Sequence, residues 1–193
     1  MFNNAKGFTL IELVVVMAVV FILSAVGIPS FKSWFASNRV NGAARRLYAD
    51  MRYAKMGAIA ANRNFVVTFV PATHSYTIYD DLNSNGVGDA GEEVRSVAIA
   101  TEYKDIEMGY VASISPAPLN KDPSGIDITE SVTFPGTPKS VIFRPTGLAS
   151  NSGYVFLKPV DDTTRKDRQR ALSIVTTGRI RLYKHTGTGD TWE

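Results

Sequence analysis

The stretch FTLIELVVVMAVVFILSAVGIP is almost unbroken in its apolarity: from Phe8 to Ile28 only Thr9, Glu12 and Ser24 interrupt a run of apolar or small residues. A helix of about 20 such residues spans the hydrocarbon of a bilayer. Core helices of globular domains are usually shorter and keep a polar face, which this run lacks. A carboxylate inside hydrocarbon is costly and calls for a partner. The run contains no Lys or Arg, and Lys6 lies just outside it. A cut between Gly7 and Phe8 would create an α-amino group one helical turn before Glu12. That amine could neutralise the same carboxylate or that of a neighbouring subunit. A secretory signal peptide would show a shorter, uninterrupted apolar core followed by its cleavage site. A plain single-span anchor would explain neither Glu12 nor the preceding KGF.

Helical periodicity continues beyond the run. Val40, Ala44, Leu47, Met51, Ala54 and Ala58 alternate at spacings of four and three, which predicts one apolar stripe over the segment 30–62. Arg45, Arg46, Arg52, Lys55 and Asp50 are placed off that stripe. Pro29 lacks a backbone donor, so a kink is expected at residues 27–29. A continuous helix from Thr9 to Asn62 would be roughly 80 Å long, so its first half is expected to project and its second half to lie on a sheet.

From Phe65 the period changes to two. Strands are predicted at NFVVTFVP, SYTIYD, EVRSVAIA, DIEMGYVA, SVTF, KSVIFRP, GYVFLKP, ALSIVTT and GRIRLYK, separated by Gly, Pro, Asn, Asp and Ser clusters. No helix is expected between them, and SPAPLNKDPSGIDITE reads as a long surface loop. The fold class is therefore α+β: a long N-terminal helix, half transmembrane and half amphipathic, packed on an antiparallel sheet or two-sheet sandwich. The expected divisions are 1–7, 8–29, 30–62 and 63–193.

The motif KG followed by FTLIELVVVMAVV resembles the signal of type IV prepilins and type II secretion pseudopilins. The resemblance implies a membrane peptidase that cuts after Gly7 and methylates Phe8. It implies a role for Glu12 in docking subunits, and makes Pro29 the helix-kinking proline. VIFRPTGLASNSGYVFLKP, a polar loop, and ALSIVTTGRIRLYK together resemble the C-terminal half of the GspH/FimT group of minor pilins and minor pseudopilins. YTIYDDLNSNGVGDAGEEV resembles an acidic hairpin loop common in that group. This implies a bacterial inner-membrane protein, single-pass, with a periplasmic domain that later joins a pilus or pseudopilus. Its partners would be other pilins, the prepilin peptidase and the assembly platform. The chain has no cysteine, whereas many type IV pilins close a C-terminal loop with a disulfide.

Two stretches are candidate binding sites. In DLNSNGVGDAGE, Asp81, Asn83, Asn85, Asp89 and Glu92 occupy positions one, three, five, nine and twelve of a calcium-loop template, with Gly86 at six. The flanks read as strands rather than helices, and a solvated hairpin loop explains the same residues by turn geometry. In GRIRLYK, alternation puts Arg179, Arg181 and Tyr183 on one face and Ile180 and Leu182 on the other. RKDRQR adds Arg165, Lys166, Arg168 and Arg170. Such a surface could grip a phosphate backbone and stack a base, and the resemblance implies DNA contact in members of the group that take up DNA. An outer-face strand with solvated or salt-bridged arginines also accounts for the motif. The formal net charge of +3 does not itself indicate a nucleic-acid partner. No catalytic constellation is visible: His74 and His185 stand singly, and His185 opens a tail, HTGTGDTWE, that is expected to be mobile. The expectation is a structural subunit without a resident cofactor, not an enzyme.

Overall fold

A computed structural model describes residues 8–111, 122–189 and 191–193, with backbone alone at 26–30. The chain divides into two compact units at Phe35/Ala36. Helix α1, Leu10–Ala61, contributes to both. It ends where Asn62 adopts a φ of 51°.

In the second unit the predicted stripe is the buried face. Val40, Ala44, Leu47, Met51, Ala54 and Ala58 are all fully buried, and Ala43 joins them. The small residues along this stripe suit close approach of the helix to the sheets. The strands are β1 Phe65–Val70, β2 Ser75–Asp80, β3 Glu93–Ala98, β4 Ile106–Met108, β5 Lys139–Phe143, β6 Gly153–Pro159, β7 Arg170–Ile174 and β8 Ile180–Lys184. They form two four-stranded sheets, ordered β3-β2-β1-β5 and β4-β6-β7-β8, and every pairing is antiparallel. Phe69, Ile78 and Phe143 of the first sheet share one core with Val155, Leu157 and Ile174 of the second and with the α1 stripe. The other face of the second sheet carries a smaller cluster, in which Tyr110, Tyr154, Tyr183 and Trp192 pack on Phe156, Ala171 and Ile128.

Four expectations need correction. SVTF forms no strand; Val132 makes only an isolated bridge to Val155. The run EVRSVAIA stops pairing at Ala98, and a short helix α2, Ile99–Glu102, follows. The turn is favoured because Ile99 is buried and its N–H donates to the His74 carbonyl at 2.9 Å. Asp50, placed off the apolar stripe with the basic residues, is nevertheless buried, at 1% exposure. The C-terminal tail is folded: Lys184 and Glu193 exchange backbone hydrogen bonds of 2.7 and 2.9 Å, and the Trp192 ring lies 5.9 Å from that of Phe156. The first part of the predicted loop SPAPLNKDPSGIDITE, to Lys121, lies outside the described residues. Beyond it, Asp122 Oδ1 closes a turn by accepting from the N–H groups of Ser124 and Ile126.

Candidate functional site

Glu12 lies in the first turn of α1, where a negative charge is favourable to the helix dipole. Thr9 starts the helix: its hydroxyl accepts from the Glu12 N–H at 3.3 Å and its carbonyl from the Leu13 N–H at 3.2 Å. Glu12 forms no ion pair among the described residues. Gly7, the residue before the expected cut, lies outside them. The α1 backbone is helical through Pro29, whose side chain is also outside the described set. Among the described residues no helix is long and apolar enough to cross a membrane. The part of the apolar run whose side chains are described, Leu10 to Ala25, measures about 24 Å at 1.5 Å per residue, short of the roughly 30 Å of a hydrocarbon core.

The acidic hairpin loop between β2 and β3 is held by its own hydrogen bonds. Asp81 is fully buried. Its carboxylate accepts from the N–H groups of Asn85 and Gly86, both at 3.0 Å. Gly86 turns the chain with a φ of 75°. Glu92 accepts from the N–H groups of Leu82 at 2.9 Å and Asp89 at 3.3 Å. The side-chain amides of Asn83 and Asn85 donate to Asp89 at 2.8 and 2.7 Å, and these two donors hold its carboxyl below the usual range. The template residues are thus brought together. Among the described residues, however, no group of three or more His, Cys, Asp or Glu side chains is arranged to hold a metal ion.

The basic stretch near the C-terminus is split by the fold. Arg170 is buried; its guanidinium donates to the Asn41 side chain at 2.7 Å and the Gln169 carbonyl at 2.8 Å, and burial lowers its pKa. Arg168 is ion-paired with Asp162, whose carboxyl burial raises even against that partner. Arg165 pairs with Asp167 at 2.7 Å, which draws the Asp167 carboxyl down. Lys166 is half-buried. Arg179 and Arg181 remain exposed, and Arg181 donates to the Tyr183 hydroxyl at 3.4 Å. Arg179 precedes β8, and within the strand the alternation is as predicted: Ile180 and Leu182 pack on the main core, Tyr183 on the outer cluster.

Sequence reasoning missed what faces this strand. Tyr48, Arg52, Lys55 and Met56 of α1 line a cavity of about 210 Å³ with Gly178, Arg179 and Ile180. An adjoining cavity of about 440 Å³ is lined by Tyr48 and residues 180–183 with Glu193. The Lys55 ammonium donates to the Gly178 carbonyl at 2.9 Å. Arg52 lies over the Tyr48 ring at 5.9 Å. None of Arg52, Arg179 and Arg181 forms an ion pair among the described residues. A larger cavity, about 470 Å³ beside β4, has its charges already matched, with Lys158–Glu107 at 2.6 Å and Lys139–Glu130 at 2.5 Å.

Asp50 was also missed as an interior group. Its carboxylate accepts from the Tyr76 hydroxyl at 2.8 Å and from Arg46 at 3.0 Å, and it ion-pairs with Arg95. Arg95 in turn stacks on Tyr53, 4.6 Å from the ring centre. The network ties α1 to β2 and β3.

Residues 43–178 match the family model described as type II transport protein GspH, and residues 2–28 match that of the prokaryotic N-terminal methylation motif. The chain belongs to the GspH family. A fimbrial protein of Pseudomonas aeruginosa is 36% identical over 109 residues, covering 56% of this chain and 68% of that protein. A second Pseudomonas aeruginosa fimbrial protein is 36% identical over 73 residues, 38% of this chain and 47% of its own length. Among solved structures, the type IV minor pilin FimU of Pseudomonas aeruginosa is similar with a TM-score of 0.48 at 18% identity, covering 75% of this chain and 88% of that one. The minor pseudopilin EpsH from the type 2 secretion system of Vibrio cholerae gives 0.47 at 12%, with coverages of 76% and 97%. GspH-family membership places this chain among pilin and pseudopilin subunits, not enzymes, and agrees with the resemblance read from its motifs.

Proposed function

We propose that this chain is a minor subunit that initiates or caps a type IV pilus or a type II secretion pseudopilus. The observation that carries this reading is the match to the methylation motif, with Glu12 in the first turn of a helix that continues into a GspH-family domain. Residues 1–7 are the leader, cut after Gly7 by the prepilin peptidase, and Phe8 becomes the methylated N-terminus. Residues 8–29 hold the subunit in the bacterial inner membrane with residues 30–193 on the periplasmic side. The assembly platform then moves it among other pilins. Glu12, without an ion pair among the described residues, docks against the N-terminal amine of a neighbour. Mass spectrometry of protein recovered from native membranes tests the processing. A methylated Phe8 terminus is expected, and a terminus at Met1 would overturn the reading. Glu12→Ala should be processed normally yet be depleted from sheared filaments.

A second reading has its own support. Arg52, Arg179 and Arg181, free of acidic partners among the described residues, border adjoining cavities that also carry Tyr48 and Tyr183. This surface suits a DNA backbone bound without sequence preference. Titration of the full chain in detergent against DNA at low salt tests it, and an absence of binding would leave the structural role alone.

A further inference from the structure

We propose that Phe31, Trp34 and Phe35 form a lipid-interface anchor, seating the membrane-held subunit in the outer headgroup layer of the bilayer. The inference rests on the reading that residues 8–29 span the membrane. The three rings stand at spacings of three and four on α1, so they share one lateral face of the helix. They are 65%, 59% and 50% exposed, and Trp34 meets Phe35 edge to face at 5.1 Å. Lys32 lies among them, also exposed, and Asn38 and Arg39 follow. The rings thus mark the change from apolar to polar sequence. Aromatic side chains with a polar atom or a cation nearby favour this layer, since one end can be apolar and the other wet.

The distances agree. At 1.5 Å per residue, residues 31–35 lie about 35–40 Å along the axis from Phe8. With Phe8 at the inner edge of a hydrocarbon core about 30 Å thick, the far headgroup layer occupies roughly the next 5–8 Å. An average helix tilt of about 20° brings the ring cluster into that layer. Side chains on a helix also lean towards its N-terminus, here back towards the bilayer.

The test uses the full chain with Trp192→Phe, so that Trp34 is the sole tryptophan, reconstituted in vesicles of mixed zwitterionic and anionic phospholipid. Flotation first reports whether the chain is held by the membrane. Trp34 emission should then shift to shorter wavelength and lose more intensity to lipids brominated near the headgroup than to lipids brominated near the chain end. The Trp34→Phe chain, keeping Trp192, should show no such loss. A chain that floats while Trp34 stays unquenched overturns the anchor and leaves the span intact. Blue-shifted emission that no brominated lipid quenches means that another copy covers the ring, which also overturns it. A chain that does not float sinks both readings together.

Discussion

Gly178 lies so close to Gly147 that a β-carbon on Gly178 would fall 1.9 Å from the Gly147 carbonyl oxygen. The turn before β8 and the turn after β5 are therefore in direct backbone contact. Gly178 also has a φ of 73°, a conformation costly to any side chain. Left-handed backbone costs about 1–2 kcal/mol per residue and overpacking about 1–3 kcal/mol. Gly178→Ala should lower the stability of the full chain in detergent by on the order of 2–4 kcal/mol, read as a shifted denaturation midpoint. A midpoint equal to the wild type would show that the two turns separate at little cost.

Burial, and next the hydrogen bond to Asp50, raise the Tyr76 hydroxyl well above its ordinary value of 10.0. A group whose pKa is higher folded than unfolded stabilises fully below the unfolded value. That contribution is lost as the pH rises past it, because the unfolded chain releases the proton first. The second unit should therefore weaken above about pH 10. Tyr76→Phe should cost about 1.5–3 kcal/mol at neutral pH, the usual worth of a hydrogen bond to a charged group, and should flatten the alkaline decline. Denaturation profiles of both proteins from pH 7 to pH 11 would reveal parallel curves if Tyr76 were not the group responsible.

Glu92 and Asp81 hold the β2–β3 loop through backbone donors. Glutamine in place of Glu92 keeps one acceptor oxygen but loses the charge and turns the other oxygen into an NH2 donor, so the carboxylate's two-sided hold on the loop N–H groups is broken at a cost of about 1–3 kcal/mol. Glu92→Gln should therefore lower the melting temperature in EDTA and in calcium alike, and calcium should not move the wild-type value. A wild-type rise in millimolar calcium, reversed by EDTA and absent in Glu92→Gln, would make the loop a cation site.

The arginines should separate into two classes. Arg170→Ala removes the donor to Asn41 and should cost about 1–3 kcal/mol. Arg179→Ala with Arg181→Ala should change stability by no more than about 0.5 kcal/mol per site, as exposed substitutions do. If DNA is the ligand, that double variant should bind more weakly and flatten the slope of log affinity against log salt by roughly two. An unchanged slope would remove these side chains from the interface.

The α1 stripe and eight of the nine predicted strands were legible because burial imposes a period on them. SVTF carries the same alternation, but it pairs with β6 only through the single bridge of Val132 to Val155. Asp50 escaped because the stripe was drawn through apolar residues only. It lies about 60° from Leu47 around the helix, at 100° per residue, and seven residues after the buried Ala43. The signal was its place in the buried arc, where a carboxylate requires partners. Those partners, Tyr76 and Arg95, are distant in sequence and had no shared pattern. RKDRQR looked like one basic cluster because charge is counted locally. Its members diverge once Asn41 and Asp162 claim two of them. The tail's Thr and Gly residues hid the Trp192 contact.

Arg170 reaches back 129 residues to Asn41, and Gly178 is joined to Lys55 across 123. A ribosome makes the helix first and β7 and β8 near the end. During synthesis the nascent helix therefore waits with its apolar stripe incompletely covered, and the second unit cannot close until its final strands emerge. Contacts this distant slow folding, and the exposed stripe invites association while it lasts. A chain stopped before β7 should be a substrate for chaperones and proteases rather than a smaller version of the same domain.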